Sequence, residues 1–366
     1  MFDYLTWRGD LSFKTSPFNP VDNIILSQLA YMTLDDIVPH TGDKDGISMD
    51  LAIRIYNEKL HSPEGLKQTS FFKDDPKLIN AIAASRRFGD CQLFGYVNHV
   101  DTNREIQFSA LTIYINDESC FISYRGTDIS LIGWKENFNM SFKEVIPSQI
   151  ESVEYIEKMA SMVDGPLRIG GHSKGGNLAM YAASQCNKHI QKRITAVYSN
   201  DAPGFHDKII NSGGFAAIKD RIYSYVPQSS VIGMFLKQGY DNIVIKSSQS
   251  GLMQHDLYSW EVTHNNLVLM DKPTNSSRYV NKTLRDWIDS FDPVRKEQFI
   301  EALYLVISKA EITSIHELEV SWFAAACRII KSLGHIDNET RKLIRHFLAE
   351  LFRSAERNFD TLLIKK

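Results

Sequence analysis

GGHSKGGNLAMYAASQ, residues 170–185, fits the pattern G-x-S-x-G around Ser173. An apolar stretch, LRIG, precedes it, and NLAMYAA follows with Leu178, Tyr181 and Ala182 at helical spacing. A serine between a strand and a helix sits on a tight turn with strained backbone angles, and its Oγ projects at the carboxyl edge of the sheet. Side chains two residues to either side would collide, so glycine is expected at Gly171 and Gly175, and Gly176 removes further bulk. The free N–H groups and positive dipole end of the following helix point to the same place. Ser173 is therefore a candidate nucleophile. The plainer alternative is a glycine-rich connection with an incidental serine. A phosphate loop is excluded, because GxxxxGK[ST] is missing.

Working outward, residues 1–22 are rich in aromatics, Ser and Pro and read as an irregular lead-in, followed by helices over 23–38, 51–61 and 77–87. CQLFGYVNHV, REIQFSALTIYIN and SCFISYRGT then read as three strands joined by the short turns VDTN and NDES, hence antiparallel neighbours. Beyond them helices and strands alternate: SQIESVEYIEKMASM as helix, PLRIGG as strand, KGGNLAMYAASQC as helix, RITAVYSN as strand, a helical stretch within 206–220, RIYSYVP as strand, VIGMFLKQ as a short apolar helix, and NIVIKSS as strand. Alternation of this kind implies βα units and a parallel sheet, here mixed because antiparallel strands come first. After about residue 274 the signal is purely helical. FDPVRKEQFIEALYLVISKA opens with Asp292 as N-cap and Pro293 at the first position, and two further amphipathic segments follow. The expected organisation is a domain over 1–274 and a helical region over 275–366.

The 366 residues are 43% hydrophobic and 23% charged, with 41 basic and 44 acidic residues and a formal charge of −3. That mixture offers no one-sided positive field for nucleic acid. The four cysteines, Cys91, Cys120, Cys186 and Cys327, form no CxxC pair and no metal-ligand spacing, which suits free thiols in a reducing compartment. MFDYLTWRGDLSF lacks the apolar centre of a signal peptide, and no stretch approaches the ~20 apolar residues of a membrane span. A soluble, cytoplasmic protein without metal or organic cofactor is expected, with no stable membrane insertion. Its oligomeric state is not legible.

A nucleophilic serine requires an oxyanion hole. The N–H of Lys174, directly after the serine, is one expected donor. FISYRGTDISLIGW, residues 121–134, offers the second: a strand breaks at Gly126, and Thr127 can donate its N–H and its hydroxyl. YRGT followed by a tryptophan, with GHSKGG, resembles the pattern of fungal-type class 3 lipases. YRGTD, GHSKGGNLA, YVPQSS and QHD together resemble a bacterial α/β-hydrolase family of unestablished function, over about residues 20–270. The resemblance implies an α/β-hydrolase fold with a mixed, mostly parallel sheet flanked by helices. It also implies a serine hydrolase.

In that fold the chain order is serine, acid, histidine. His189, His206, His264, His316, His335 and His346 follow Ser173 but fall on helix ends, turns or the helical tail. His255, in SGLMQHDLYSW, lies in the loop after the last clear strand, where the resemblance also places the base. His172 is expected to pack beside the turn. The acid departs from the pattern: class 3 lipases carry it on the strand before a V-P pair, and RIYSYVPQSS has none. Asp201 in SNDAPGF, at the carboxyl end of the preceding parallel strand, is the substitute expected to orient His255. Asp241, Asp256 and a Ser-His dyad are the alternatives. A second departure is WKENF, where the pattern has an aspartate holding the oxyanion hydroxyl; Asn137 or Glu136 would take that part. The expected function is a carboxylic- or lipid-ester hydrolase acting on a small-molecule or lipid ester. LIGW, residues 131–134, is a candidate lid. The rival is a non-catalytic binding or scaffold protein on the same fold, favoured by the missing acid in YVPQSS.

Overall fold

The computed structural model describes residues 1–42, 45–61, 72–128, 130–309 and 337–363. The expected helix ELEVSWFAAACRIIKSL, His316, His335 and Cys327 lie outside them. Eight strands form one sheet in sequential order: β1 (Ile47–Ser48), β2 (Gln92–Asp101), β3 (Ile106–Tyr114), β4 (Cys120–Tyr124), β5 (Leu167–His172), β6 (Ile194–Asn200), β7 (Ile222–Pro227) and β8 (Asn242–Ile245). β1 to β4 pair antiparallel, and β4 to β8 pair parallel. The switch follows from the connections. Tight turns join β2, β3 and β4, whereas helices Pro147–Met162 and Lys174–Gln185 carry the crossovers around β5.

Both faces of the sheet are covered, as a parallel sheet requires. Period-two alternation sends Phe121 to a core shared with Ile24, Leu26 and Tyr198, and its neighbour Ile122 to the opposite core with Ile169, Leu178 and Met159. Helix Pro20–Leu29 closes the first face, and helices Pro147–Met162 and Lys174–Gln185 close the second. This is a mixed, mostly parallel sheet flanked by helices, the arrangement expected of an α/β-hydrolase. Helices Asn275–Asp289, Pro293–Lys309 and Asn338–Asn358 follow it and pack on one another.

Several expectations fail locally. The helix expected over 23–38 ends at Leu29, with turns and bends over 30–38, and the one expected over 77–87 is interrupted at 84–85. The N-terminal segment is ordered, with a helix at Phe2–Arg8. Its organiser is Arg87, fully buried, which binds Asp22 through two bonds of 2.7 and 2.6 Å and also donates to the carbonyls of Leu11, Ser16 and Pro17. Sequence periodicity is blind to a guanidinium arriving from about 65 residues away. VIGMFLKQ is not a helix but a chain of turns and bends. Its backbone is engaged elsewhere: Gly233 N–H donates to the Asp201 carboxylate at 3.0 Å, and Leu236 has φ of 63°. LIGW opens a helix, Leu131–Asn139, capped by Ser130 Oγ on the N–H of Gly133. Lys135 fastens that helix to Glu105 and to Glu301, at 2.7 Å each.

Candidate active site

Ser173 follows β5 and precedes the helix Lys174–Gln185, with φ 57° and ψ −132°. For a residue with a Cβ this is a strained conformation, held because its N–H is fixed to the carbonyl of Asn200 at 2.9 Å. The surrounding backbone is too close for side chains. A Cβ on Gly171 would stand 2.5 Å from the carbonyl oxygens of Gly175 and Tyr124, and one on Gly175 would overlap the Tyr124 carbonyl. Asn200 locks the same turn from below, donating to Gly171 O, Asn23 Oδ1 and Ser27 Oγ within 3.1 Å.

Asp201 directly follows β6 and lies in the left-handed region, φ 49°. Its N–H donates to Tyr225 O at 2.8 Å, across to β7. Its side chain is 1% exposed, yet each oxygen has partners. Oδ1 accepts from Ser230 Oγ at 2.5 Å and from Gly233 N–H at 3.0 Å, while Oδ2 meets His255 Nδ1 at 2.6 Å. Ser230 belongs to YVPQSS, the segment that lacks an acid, and holds the acid that follows the neighbouring strand. A carboxylate only accepts, so Nδ1 of His255 carries a proton, and in the neutral ring Nε2 presents the lone pair.

His172 is buried beneath this pair. Its Nε2 meets the backbone carbonyl of His255 at 2.7 Å, its Nδ1 meets Tyr31 Oη at 2.9 Å, and its ring centroid lies 4.3 Å from that of His255. A carbonyl only accepts, so Nε2 holds the proton and Nδ1 accepts from the tyrosine. Burial, and then the neighbouring His255, push the His172 pKa well below the ordinary histidine value, so the ring stays neutral. The unfolded chain takes up a proton near the ordinary pKa of 6.5 and the folded chain does not, so this stabilisation is full above that pH and is lost as pH falls below it. The expected slope is up to ~1.4 kcal/mol per pH unit for one proton. Thermal melts between pH 7 and 5 should therefore fall more steeply for the wild type than for His172→Gln; equal slopes would contradict the assignment.

The loop after β4 lies against the turn. A Cβ on Gly126 would be 3.2 Å from Ser173 Cβ and 2.6 Å from His172 O, so only a hydrogen fits there. Thr127 is 9% exposed, and its Oγ1 is buried with no hydrogen-bond partner. Unpartnered buried hydroxyls are uncommon and require an explanation. Lys174 is the first residue of its helix, where backbone N–H groups lack intrahelical acceptors. The next acid in the loop, Asp128, accepts from the N–H and hydroxyl of Ser130 and pairs with Arg125 at 3.3 Å.

Asn137 makes no described hydrogen bond to Thr127; it lines an apolar cavity instead. Glu136 is fully buried and turned toward Lys174 Nζ, 2.7 Å away. The structure therefore brings Asp201 to His255 and places Gly126 against Ser173, but does not join Asn137 to Thr127. Asp256 caps the turn at Tyr258 N–H.

The apolar cavity, of about 200 Å³, lies between the domain and the C-terminal helices. Trp134, Pro203 and Ile232 form one wall, and Leu284, Trp287 and Ile300 form the other. Val231 and Ile232 stand between Ser230 and Gly233, the two residues bound to Asp201. Trp134 follows Gly133, where a Cβ would be 3.1 Å from the Thr127 methyl. Residues that follow Thr127 and Ser230 in the chain thus line the cavity, while Ser173, Thr127, Asp201 and His255 do not.

A family model described as Mbeg1-like matches residues 82–305, running past residue 274 into the helical region. No curated protein sequence matches the chain. Solved structures similar to it include the native lipase–propeptide complex of Rhizomucor miehei, at 13% identity and a TM-score of 0.34 over 54% of this chain and 66% of that one. Lip2 lipase of Yarrowia lipolytica is 12% identical with a TM-score of 0.34, over 59% of this chain and 93% of the other. M37 lipase is 14% identical with a TM-score of 0.37, over 59% and 70%. Among the described residues no helix is long and apolar enough to cross a membrane.

Proposed function

The chain belongs to the Mbeg1-like family, and from the geometry of its site we propose that it is a serine hydrolase acting by acyl transfer on carboxylic esters with apolar acyl chains. The observation that carries this reading is the 2.6 Å contact between Asp201 Oδ2 and His255 Nδ1. A buried carboxylate fully occupied by two donors and an imidazole sets the tautomer that a general base needs. His255 Nε2 takes the proton of Ser173 Oγ as that oxygen attacks the ester carbonyl. The oxyanion is held by Lys174 N–H and by Thr127, whose buried hydroxyl makes no hydrogen bond to the described residues and is free to donate to it. The imidazolium then protonates the leaving alcohol, and water, activated by the same nitrogen, releases the acyl group.

The acyl chain is assigned to the cavity beside Trp134 and Ile232, and the helices after residue 274 are an extension that supplies its outer wall. Cys91, Cys120 and Cys186 are free, buried thiols, which supports a reducing compartment. Hydrolysis of p-nitrophenyl esters of increasing chain length tests the assignment. Decanoate is expected to be preferred to acetate. Leu284→Trp, which narrows the cavity from the helical side, should remove the room for about two methylene groups, ~1.6 kcal/mol. That is a loss of about 15-fold in kcat/KM for decanoate, with acetate nearly unchanged. An equal loss for both esters would contradict the assignment.

A further inference from the structure

Lys174 follows the nucleophile, and its side chain is entirely buried. Its Nζ donates to Gln107 O at 2.6 Å, Gln107 Oε1 at 2.9 Å and Glu136 Oε2 at 2.7 Å. Glu136 is equally buried, and its remaining capacity is used: Oε2 accepts the N–H of Gln107 at 3.1 Å, and Oε1 accepts the N–H and hydroxyl of Ser148 at 3.0 and 2.5 Å. Every donor of the ammonium and both oxygens of the carboxylate are therefore occupied.

An ion pair so completely desolvated is a poor source of stability, because well-packed apolar residues would serve as well. What it does supply is registration. Lys174 begins the helix that carries one oxyanion donor, and Glu136 lies on the helix Leu131–Asn139 that closes the loop carrying the other. Gln107 completes the connection: a Cβ on Gly133 would stand 3.0 Å from Gln107 Oε1 and 3.1 Å from the Thr127 methyl. Gly133 thus lies close to both Gln107, which the ion pair holds, and Thr127, on the far side of the hole.

We propose that Lys174 and Glu136 are positioning residues, a buried ionic pin that sets the spacing between the Lys174 N–H and Thr127 on either side of the developing oxyanion. The inference rests on the acyl-transfer reading above. It acts on the transition state alone: the ground-state ester carbonyl does not require the two donors at that spacing, whereas the tetrahedral oxyanion does.

The test compares the full-length wild type with Lys174→Met/Glu136→Gln, which removes both charges and leaves neither unpaired, and with Glu136→Asp, which keeps both charges but retracts the carboxylate. Competent sites are counted by titration with a fluorophosphonate, and kcat and KM for p-nitrophenyl butyrate are expressed per titrated site. A pair that serves folding alone lowers the number of titrated sites and leaves kcat per site unchanged. The pin predicts a fall in kcat per site of about 10- to 100-fold with KM within about twofold, since a misplacement on the order of 1 Å costs on that scale. A kcat per site within about twofold of wild type, in whichever variant folds, overturns the inference while leaving the acyl-transfer reading intact. A wild type that neither labels at Ser173 nor turns over the ester removes that reading, and the inference with it.

Discussion

Asp201→Asn is expected to lower kcat by about 10⁴-fold while leaving the protein folded. Asparagine is nearly isosteric, and its carbonyl can still accept from Ser230 Oγ and Gly233 N–H, the two donors that hold Asp201 Oδ1. The change falls on the other atom. Where Oδ2 accepts from His255 Nδ1 at 2.6 Å, the variant presents an NH₂ group. Two donors cannot face each other, so the imidazole must carry its proton on Nε2 and offer Nδ1 as acceptor. The nitrogen that should deprotonate Ser173 then has no lone pair, and the charge that would stabilise the imidazolium is gone. The comparison variant is Ser230→Ala, which removes one of the two donors on Oδ1 and leaves the tautomer unchanged. Its loss should be far smaller. Steady-state kinetics on one ester, with thermal melts to verify folding, separate the two; similar losses for both variants would show that the carboxylate shapes its loop and no more.

The largest loss is expected from Ser173→Ala, about 10⁶-fold in kcat. The alternative chemistry makes this informative. If His255 activated water directly, with Ser173 as a bystander, the hydroxyl would contribute a single hydrogen bond, and its removal would cost about 10- to 100-fold. Covalent catalysis has no partial substitute, because the step that forms the acyl-enzyme disappears and only binding and the oxyanion donors act on the ester. Alanine retains the Cβ, so the strained φ of 57° and the N–H bond to Asn200 O persist and the fold is not at issue.

Much of this arrangement is legible in the chain, for local reasons. The turn at Ser173 is visible because Gly171 and Gly175 are forced by backbone contacts within 2.5 Å, and such constraints leave their mark at fixed spacing. Strands and crossover helices are visible because burial on two faces imposes period and length. The relation of Asp201 to His255 is legible only as topology: one directly follows a parallel strand, the other lies in the loop after the last, and both reach the same sheet edge. What the chain does not disclose are polar contacts between distant segments. WKENF gives no sign that Glu136 meets Lys174, because a fully buried ion pair looks in sequence like two ordinary surface charges. The support of His172 by Tyr31, 141 residues apart, is hidden for the same reason. VIGMFL misleads because its apolar side chains line a cavity while its backbone is spent on a carboxylate. Propensity weighs side chains and is blind to that second demand.

The central claim is that Ser173 Oγ is the group that attacks. Incubation of the intact protein with a fluorophosphonate, followed by proteolysis and mass spectrometry, tests it most directly. The account predicts one stoichiometric adduct on the peptide bearing GHSKGG, located at Ser173, formed rapidly by the wild type, far more slowly by His255→Ala, and not at all by Ser173→Ala. A folded wild type that forms no adduct, or one whose adduct lies on another residue, would contradict it.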